Sequence, residues 1–338
     1  MRKGELIRLA SLPLAVSALV VVGCGQEPQG RKVRLWSVAE NGAREPPVRR
    51  LVPLRVAVAP VISPRENVGL YRPLLEHISA KLGRPVDLVQ RRTYAEVNDL
   101  VRYGHADAAF VCDYAFVEGE RYFGMEALVV PIVRGQPTYR SYIIVPAEST
   151  AQDLADLKGT SFAYTDPLSS AGWLFPTHWL NEMGVDPELF FGRTVFTYSH
   201  DNTVKAVAQC LVDGGAVDSL VYDFMVTKDP AYGERTQVIQ RSTPLTNPPV
   251  VVHPDIDPAL RDKLQAVFLS LHRDQEGRAV LAPLMIEQFI VPDTRSYDPV
   301  RQTADEARHR IAQNVLRRLR ESRDAQKGSD HSTPVGTP

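Results

Sequence analysis

The chain has 338 residues and carries 39 Lys and Arg against 40 Asp and Glu, a formal net charge of −1. This balance gives no basic field of the kind that nucleic-acid binding requires, so no nucleic-acid partner is expected. The stretch between the two polar ends is about 270 residues long, which is enough for two folded lobes.

The first 23 residues have the pattern of a bacterial lipoprotein signal peptide. Basic residues at positions 2, 3 and 8 precede an apolar run from Leu9 to Val22, which is shorter than the roughly 20 residues that a spanning helix needs. The run ends at Gly23-Cys24, which resembles a lipobox, so we expect cleavage before Cys24 and a lipid anchor on its thiol. The alternative is an ordinary secretory signal with an incidental cysteine.

Composition divides the rest of the chain. Residues 24–53 are rich in Pro, Gly, Arg and Glu and are predicted to form a flexible tether, and residues 326–338 a disordered tail. We place lobe 1 at 54–139 and 237–296, lobe 2 at 140–236, and a C-terminal helix at 297–325. The arginines of that helix are expected to form a solvated face, with contact to lipid headgroups as the less favoured alternative. Cys112 and Cys210 fall in different lobes, so two buried free thiols are expected rather than a disulfide.

Strands and helices alternate along the folded part, which predicts α/β lobes with parallel sheets and right-handed crossovers. Apolar runs bounded by Gly, Pro and Asp predict strands at Leu54–Ala59, Val86–Val89, Ala106–Val111, Ser141–Val145, Ser161–Tyr164, Thr194–Tyr198, Asp218–Val221, Gln237–Gln240 and Val250–His253. Helical spacing predicts helices at Leu70–Leu82, Tyr94–Tyr103, Asp113–Tyr122, Thr150–Leu157, Ala171–Met183, Thr203–Val212, Pro258–Leu271, Ala282–Phe289 and Asp298–Arg320. Two lobes, with the chain crossing near Tyr139 and returning near Gln237, make the cleft of a solute-binding protein.

The most informative motif is the turn Asp166-Pro167-Leu168-Ser169-Ser170-Ala171-Gly172, between a predicted strand and a predicted helix. The first N–H groups of a helix have no partner within it, and the helix dipole favours an anion beside them. Ser169 and Ser170 add two hydroxyl donors, so this turn suits a small oxyanion. The alternative is an ordinary serine N-cap.

The turn is one of six short motifs that follow each other along the chain. The others are Tyr71-Arg72-Pro73-Leu74, Leu82-Gly83, Gly104-His105-Ala106-Asp107-Ala108-Ala109, His200 and Gly215-Ala216-Val217-Asp218. As a set they resemble the substrate-binding components of phosphonate, phosphite and phosphate ABC transporters. The resemblance covers Leu54 to Pro292 and implies the two-lobe type 2 periplasmic-binding-protein fold, a small phosphoryl oxyanion as ligand, and an ABC permease as partner. No cofactor or metal is implied.

The resemblance also implies a binding site made from the turn, a histidine and tyrosines of the other lobe. The positions that match are the hydroxyls of Ser169 and Ser170, the N–H of Ala171, the ring of His200, and the phenols of Tyr94 and Tyr139. Ala171 lacks a third hydroxyl that family members usually carry there. Tyr114 is a less favoured candidate. The alternatives are a helix-capping role for the histidine and ordinary packing for the tyrosines.

Three other functions are compatible with parts of the sequence. An enzyme would use Ser170, His200 and Asp223 as nucleophile, base and orienting acid, but the Gly-x-Ser-x-Gly elbow, metal-spaced Cys or His pairs and a P-loop are missing from the sequence. Catalysis is therefore not expected. A receptor lipoprotein with a signalling or redox-complex partner stays an open alternative, and so does the same fold with another small anion or a pyrimidine as ligand.

The resemblance bears on the ligand as well. Family members that take up amino-alkyl phosphonates pair the ligand's ammonium with acidic residues, and the matching positions here are Met225 and the Asn247-Pro248-Pro249 turn. A buried ammonium without a counter-charge costs several kcal/mol. We therefore expect phosphite, phosphate or methylphosphonate, with the nearby Asp223 orienting a donor.

Overall fold

The computed structural model describes residues 52–330, with side chains up to residue 320. The predicted signal peptide, the anchor at Cys24, most of the tether and residues 331–338 lie outside the described residues. Over the described range, none of the helices combines the length and the apolarity that crossing a membrane requires.

The described chain alternates strands and helices. The strands are β1 (Leu54–Val58), β2 (Val86–Gln90), β3 (Ala108–Phe110), β4 (Glu126–Val133), β5 (Thr138–Tyr139), β6 (Ser141–Pro146), β7 (Ser161–Tyr164), β8 (Arg193–Phe196), β9 (Gly214–Asp218), β10 (Thr236–Arg241), β11 (Leu245–Thr246), β12 (Val250–Val252) and β13 (Ile286–Ile290). The α-helices are α1 (Pro64–Leu82), α2 (Tyr94–Arg102), α3 (Asp113–Phe123), α4 (Phe175–Glu182), α5 (Pro187–Phe190), α6 (His200–Ala208), α7 (Ser219–Lys228), α8 (Ala231–Arg235), α9 (Pro258–Ser270), α10 (Gln275–Leu281) and α11 (Asp298–Asp330). Ser170–Leu174 is a π-helical turn that leads directly into α4.

Each lobe is built on one mixed sheet. The six-stranded sheet of lobe 1 has the order β13-β4-β12-β3-β1-β2, with β1 parallel to β2 and β3, and with β12 and β13 antiparallel to β4. The five-stranded sheet of lobe 2 has the order β10-β6-β9-β7-β8, with β7 parallel to β8 and β9. The two-lobe α/β fold is thus as predicted, but the expectation of parallel sheets was wrong, because β12 and β13 in lobe 1 and β6 in lobe 2 run antiparallel to the other strands of their sheets.

The chain passes between the lobes twice, at β5 and β11, and these two segments pair with each other. Tyr139 is opposite Leu245, and Thr138 is opposite Thr246. Gln237–Gln240 belongs to β10 and pairs with β6 in the sheet of lobe 2. The predicted return at Gln237 was therefore wrong, and lobe 2 extends through β10.

Four further expectations differ from the structure. Ala282–Phe289 is not a helix, because Met285 has a positive φ of 57° that ends a short turn and starts β13. The predicted strand Asp218–Val221 is misplaced towards the C-terminus. The strand β9 ends at Asp218, and the next three residues begin α7. Cys210 is exposed, and only Cys112 of the two is buried. Residues 326–330 of the predicted tail continue α11.

The C-terminal helix α11 contacts both lobes through its arginines. Arg301 pairs with Glu120 of α3 at 2.7 Å, and Arg308 pairs with Glu118 of the same helix. Further along, Arg318 pairs with Asp186 at 2.9 Å in lobe 2. These three arginines are therefore used in ion pairs, where the sequence predicted a solvated face.

Candidate ligand-binding site

The serine turn, residues 166–172, is stabilised by hydrogen bonds between its own side chains and its backbone. Asp166 Oδ1 accepts from the N–H of Leu168 at 2.8 Å, and Ser169 Oγ accepts from the N–H of Gly172 at 3.0 Å. A Cβ at Gly172 would lie 2.5 Å from the Cβ of Thr165, so only glycine lets the turn pack against β7. The result is a rigid turn whose two serines are fully buried.

His200 is the first residue of α6, and both nitrogens of its ring have polar neighbours. Its Nδ1 lies 3.0 Å from the N–H of Asp218, which must be the donor, and its Nε2 lies 3.4 Å from Ser169 Oγ. Burial lowers the pKa of His200 to about 3, so the ring is neutral near pH 7. Since Nδ1 accepts, the ring proton is on Nε2. His200 thus presents an uncharged N–H donor on the side of the serine turn.

Thr165, the residue after β7, supports this arrangement and was not singled out from the sequence. Its Oγ1 lies 3.1 Å from His200 Nδ1 and 3.1 Å from the carbonyl oxygen of Ala216. The side chain therefore ties the serine turn, the histidine and β9 together. The sequence around Thr165 does not indicate this role, because the residues that Thr165 contacts are distant along the chain.

The tyrosines come from lobe 1 and from the crossover. Tyr94 is the first residue of α2, fixed by a capping box between Thr93 and Glu96, and its phenol is buried. Over residues 52–320 no hydrogen-bond partner is found for the Tyr94 hydroxyl. Tyr139 donates its hydroxyl to Asp113 Oδ1 at 2.7 Å. Burial raises the pKa of both phenols well above the usual value, so both keep their protons.

Tyr114 packs on the residue that follows the serine turn and reaches the C-terminal helix with its phenol. Its ring stacks on Trp173 with 6.2 Å between centroids. Burial and Glu118 raise its pKa to about 12, while the nearby Arg308 of α11 acts in the opposite direction. The phenol is thus directed at the C-terminal helix rather than at the serine turn.

Asp113, the first residue of α3, was missed as a site residue. It is completely buried, and its Oδ1 accepts from Tyr139 and from Cys112 Sγ, the latter at 3.0 Å. Burial raises its pKa, while contacts with Tyr139, Cys112 and Ser170 oppose that shift. In the described part of the chain, Oδ2 of Asp113 and Oγ of Ser170 are both buried with no partner at hydrogen-bonding geometry. An acidic residue three positions after β3, a strand of a parallel pair, was the available signal.

Asp218, at the carboxyl end of β9, is the second acid that sequence reasoning missed as a site residue. Its Oδ1 accepts from the N–H of Leu220 at 2.6 Å and caps α7. Burial, followed by the negative charges of Asp113 and Asp223, raises its pKa to about 7. It also lines a cavity of about 140 Å³ between the lobes, whose walls are mostly apolar.

The lobes are closed on one another around these residues. The N–H of Tyr94 in lobe 1 donates to Asp166 Oδ2 in lobe 2 at 3.1 Å. The N–H of His200 donates to the carbonyl oxygen of Val61 at 2.9 Å, and the N–H of Ser63 donates to Asp201 Oδ1 at 2.9 Å. These three hydrogen bonds hold the lobes in contact beside the serine turn.

The rival catalytic arrangement is not formed. Ser169, and not Ser170, is the serine next to His200, and the His200 Nδ1 that an orienting acid would occupy accepts a backbone N–H instead. Asp223 pairs with Arg134 at 3.3 Å at the surface. Among the described residues, no group of three or more His, Cys, Asp or Glu could hold a metal ion.

The site therefore combines neutral donors and buried acids where the two lobes contact each other. The model of the periplasmic substrate-binding proteins of phosphonate ABC transporters matches residues 56–297. The chain belongs to this family. It is accordingly an extracytoplasmic transport protein and not an enzyme.

Known relatives agree with this family. The phosphate-import protein PhnD of Mycolicibacterium smegmatis is 26% identical over 227 residues, which are 64% of this chain and 70% of that protein. The binding-protein component of an ABC phosphonate transporter from Pseudomonas aeruginosa has a TM-score of 0.71 at 23% identity, over 82% of this chain and 99% of the other. PhnD1 from Prochlorococcus marinus, solved in complex with methylphosphonate, has a TM-score of 0.67 at 18% identity, over 75% and 97%. The two structures show the shared two-lobe fold.

Proposed function

We propose that this protein is a lipid-anchored binding protein that captures a small phosphoryl oxyanion and delivers it to an ABC permease. The candidate ligands are phosphite, phosphate and simple phosphonates such as methylphosphonate. The anchor at Cys24 rests on the lipobox-like sequence. The ligand class is supported by the family, by the printed names of the relatives above, and by the donors that converge on the serine turn.

One observation carries the proposal. His200 is neutral with its proton on Nε2, and that N–H lies beside Ser169 while the hydroxyl of Ser170, one residue on, is buried and, as far as the described residues go, unpartnered. Buried polar groups are normally paired. An oxyanion with several acceptor oxygens satisfies these donors together with the N–H of Ala171 at the start of the helix.

Ligand capture is proposed to be coupled to closure about the ribbon formed by β5 and β11. Two strands of two residues each connect the lobes there, so a small change of backbone dihedrals can separate them. A ligand that contacts both lobes shifts the population towards the closed form, which a permease can recognise.

Calorimetric titration of the purified protein with phosphite, phosphate and methylphosphonate tests the function. Binding of at least one of them, with compaction in X-ray scattering, is expected. The variants Ser169→Ala, Ser170→Ala and His200→Ala should each bind the tightest of these ligands about ten- to a hundred-fold more weakly, because each loses one donor to an anion. Unchanged affinity in all three would place the site elsewhere.

A further inference from the structure

We propose that Asp113 is a specificity-determining residue, whose carboxyl shares one proton with an oxygen of the bound ligand, so that the site selects oxyanions that carry a proton of their own. The inference rests on the proposed function, because it concerns the same ligand and the same closed cleft.

The Asp113 carboxyl is buried, and only one of its two oxygens is hydrogen-bonded. Asp113 is 0% exposed, and Tyr139 and Cys112 hold its Oδ1 at 2.7 and 3.0 Å. Within residues 52–320 its Oδ2 is buried without a partner at hydrogen-bonding geometry, and so is the hydroxyl of Ser170, which contacts this carboxyl. A ligand held by the serine turn therefore has one oxygen facing Asp113 Oδ2.

The groups around that carboxyl do not offset a negative charge. The titratable groups that act on it are the Cys112 thiol of its own N-cap, the phenols of Tyr139 on β5, Tyr94 on α2 and Tyr297 before α11, and the carboxyl of Asp218 after β9. None of these groups can carry a positive charge. An ionised Asp113 facing a fully ionised oxyanion would thus place like charges together in a buried site, at a large cost.

A single proton shared between Asp113 and the ligand resolves this conflict of charges. One proton between Oδ2 and the ligand removes this repulsion and gives both oxygens a hydrogen bond. Phosphate brings that proton both as its monoanion and as its hydrogen-bearing dianion. Phosphite and methylphosphonate bring an O–H proton only as monoanions, and sulfate near neutral pH brings none. When phosphite, methylphosphonate or sulfate is fully ionised, the shared proton must come from solvent. Taking up this proton becomes less favourable as the pH rises.

Competition titrations at about pH 8 and about pH 9 test the proposal with phosphate, methylphosphonate and sulfate. We expect the wild-type protein to bind phosphate at least about a hundred-fold more tightly than sulfate at the lower pH. Methylphosphonate should lose up to about ten-fold in affinity over this pH unit, while phosphate changes little, because only the former must take up a proton. Wild-type protein that binds sulfate as well as phosphate overturns the proposal, and so does an equal pH dependence of phosphate and methylphosphonate.

The variant Asp113→Asn isolates the residue. Its amide can donate to a fully ionised oxygen, so sulfate should approach phosphate to within about ten-fold and the pH dependence of methylphosphonate should disappear. Asp255→Asn, which changes a carboxylate that is 91% exposed, is the matched control and should behave as wild type. If Asp113→Asn keeps the wild-type discrimination, the proposal is wrong. If it does not fold, as judged by thermal melting, the wild-type pH comparison decides. A wild-type protein that binds none of the phosphoryl ligands would instead contradict the proposed function itself.

Discussion

The backbone N–H of Tyr94 and the carboxylate of Asp166 join the two lobes at the edge of the serine turn, 3.1 Å apart. The same carboxylate fixes the turn through the N–H of Leu168. One side chain therefore connects the shape of the turn to the closure of the cleft. Neither partner is exposed, so the bond forms only when the lobes meet.

The first prediction concerns this link. Asp166→Asn keeps an oxygen for Leu168 but turns an amide donor towards the N–H of Tyr94, so the closed form should be destabilised. We expect about ten-fold weaker ligand binding and a larger radius of gyration in scattering with ligand present. Asp153→Asn is the control, since Asp153 caps a short helix by accepting from Ala155 at 2.8 Å. Equal affinities for the two variants would contradict a role in closure.

The second prediction separates the two serines by stability. Ser169 Oγ caps the turn by accepting from Gly172 at 3.0 Å, so Ser169→Ala should lower the free energy of unfolding by about 1 kcal/mol as well as affinity. The Ser170 hydroxyl has no partner at hydrogen-bonding geometry in the described structure and only contacts Asp113, so Ser170→Ala should lower affinity with a smaller loss of stability than Ser169→Ala. Chemical denaturation of the ligand-free variants measures this difference. A loss of stability in Ser170→Ala equal to that in Ser169→Ala would show that both hydroxyls are structural.

The main parts of the fold and of the turn could be predicted because their signals are local. Ser169, Ser170 and Gly172 lie within four consecutive residues, and alternating apolar runs separate the strands from the helices. Asp113 and Thr165 could not be assigned in this way, because their roles depend on partners 26 and 35 residues away. The error at 282–289 has a similar origin, since pairing of β13 with β4 decides the conformation of a short apolar segment.

The third prediction concerns pH. The folded-state pKa of Asp218 is raised to about 7 from the usual 3.8, so the folded protein binds more protons than the unfolded chain between these values. Asp218 therefore costs stability as the pH rises through this window, by up to about 1.4 kcal/mol per pH unit. Asp218→Asn, which keeps the helix cap, should be stabilised relative to wild type by an amount that grows from pH 4 to pH 7.

His200 acts in the opposite direction in part of the same window. Its pKa is lowered to about 3, so protonation of the unfolded chain costs stability as the pH falls below about 6.5. Wild-type stability should therefore vary less with pH than that of Asp218→Asn, in which the histidine effect is no longer offset. Denaturation curves at several pH values measure both slopes. A constant difference between the two proteins from pH 4 to pH 7 would show that Asp218 is ionised throughout.

The last prediction ranks the ligands. At the positions that match the ammonium-binding acids of the family, Met225 is a buried apolar residue and Asn247 uses its amide N–H groups on the carbonyls of Pro131 and Gln136. Asp223 is paired with Arg134. A buried ammonium without a counter-charge costs several kcal/mol, so 2-aminoethylphosphonate should bind at least about ten-fold more weakly than the tightest of phosphite, phosphate and methylphosphonate. Asp218 lines the cavity between the lobes and is the acid that could reverse this order. Tightest binding of the amino compound, lost in Asp218→Asn, would assign the ammonium to that carboxylate and overturn the ranking while leaving the family unchanged.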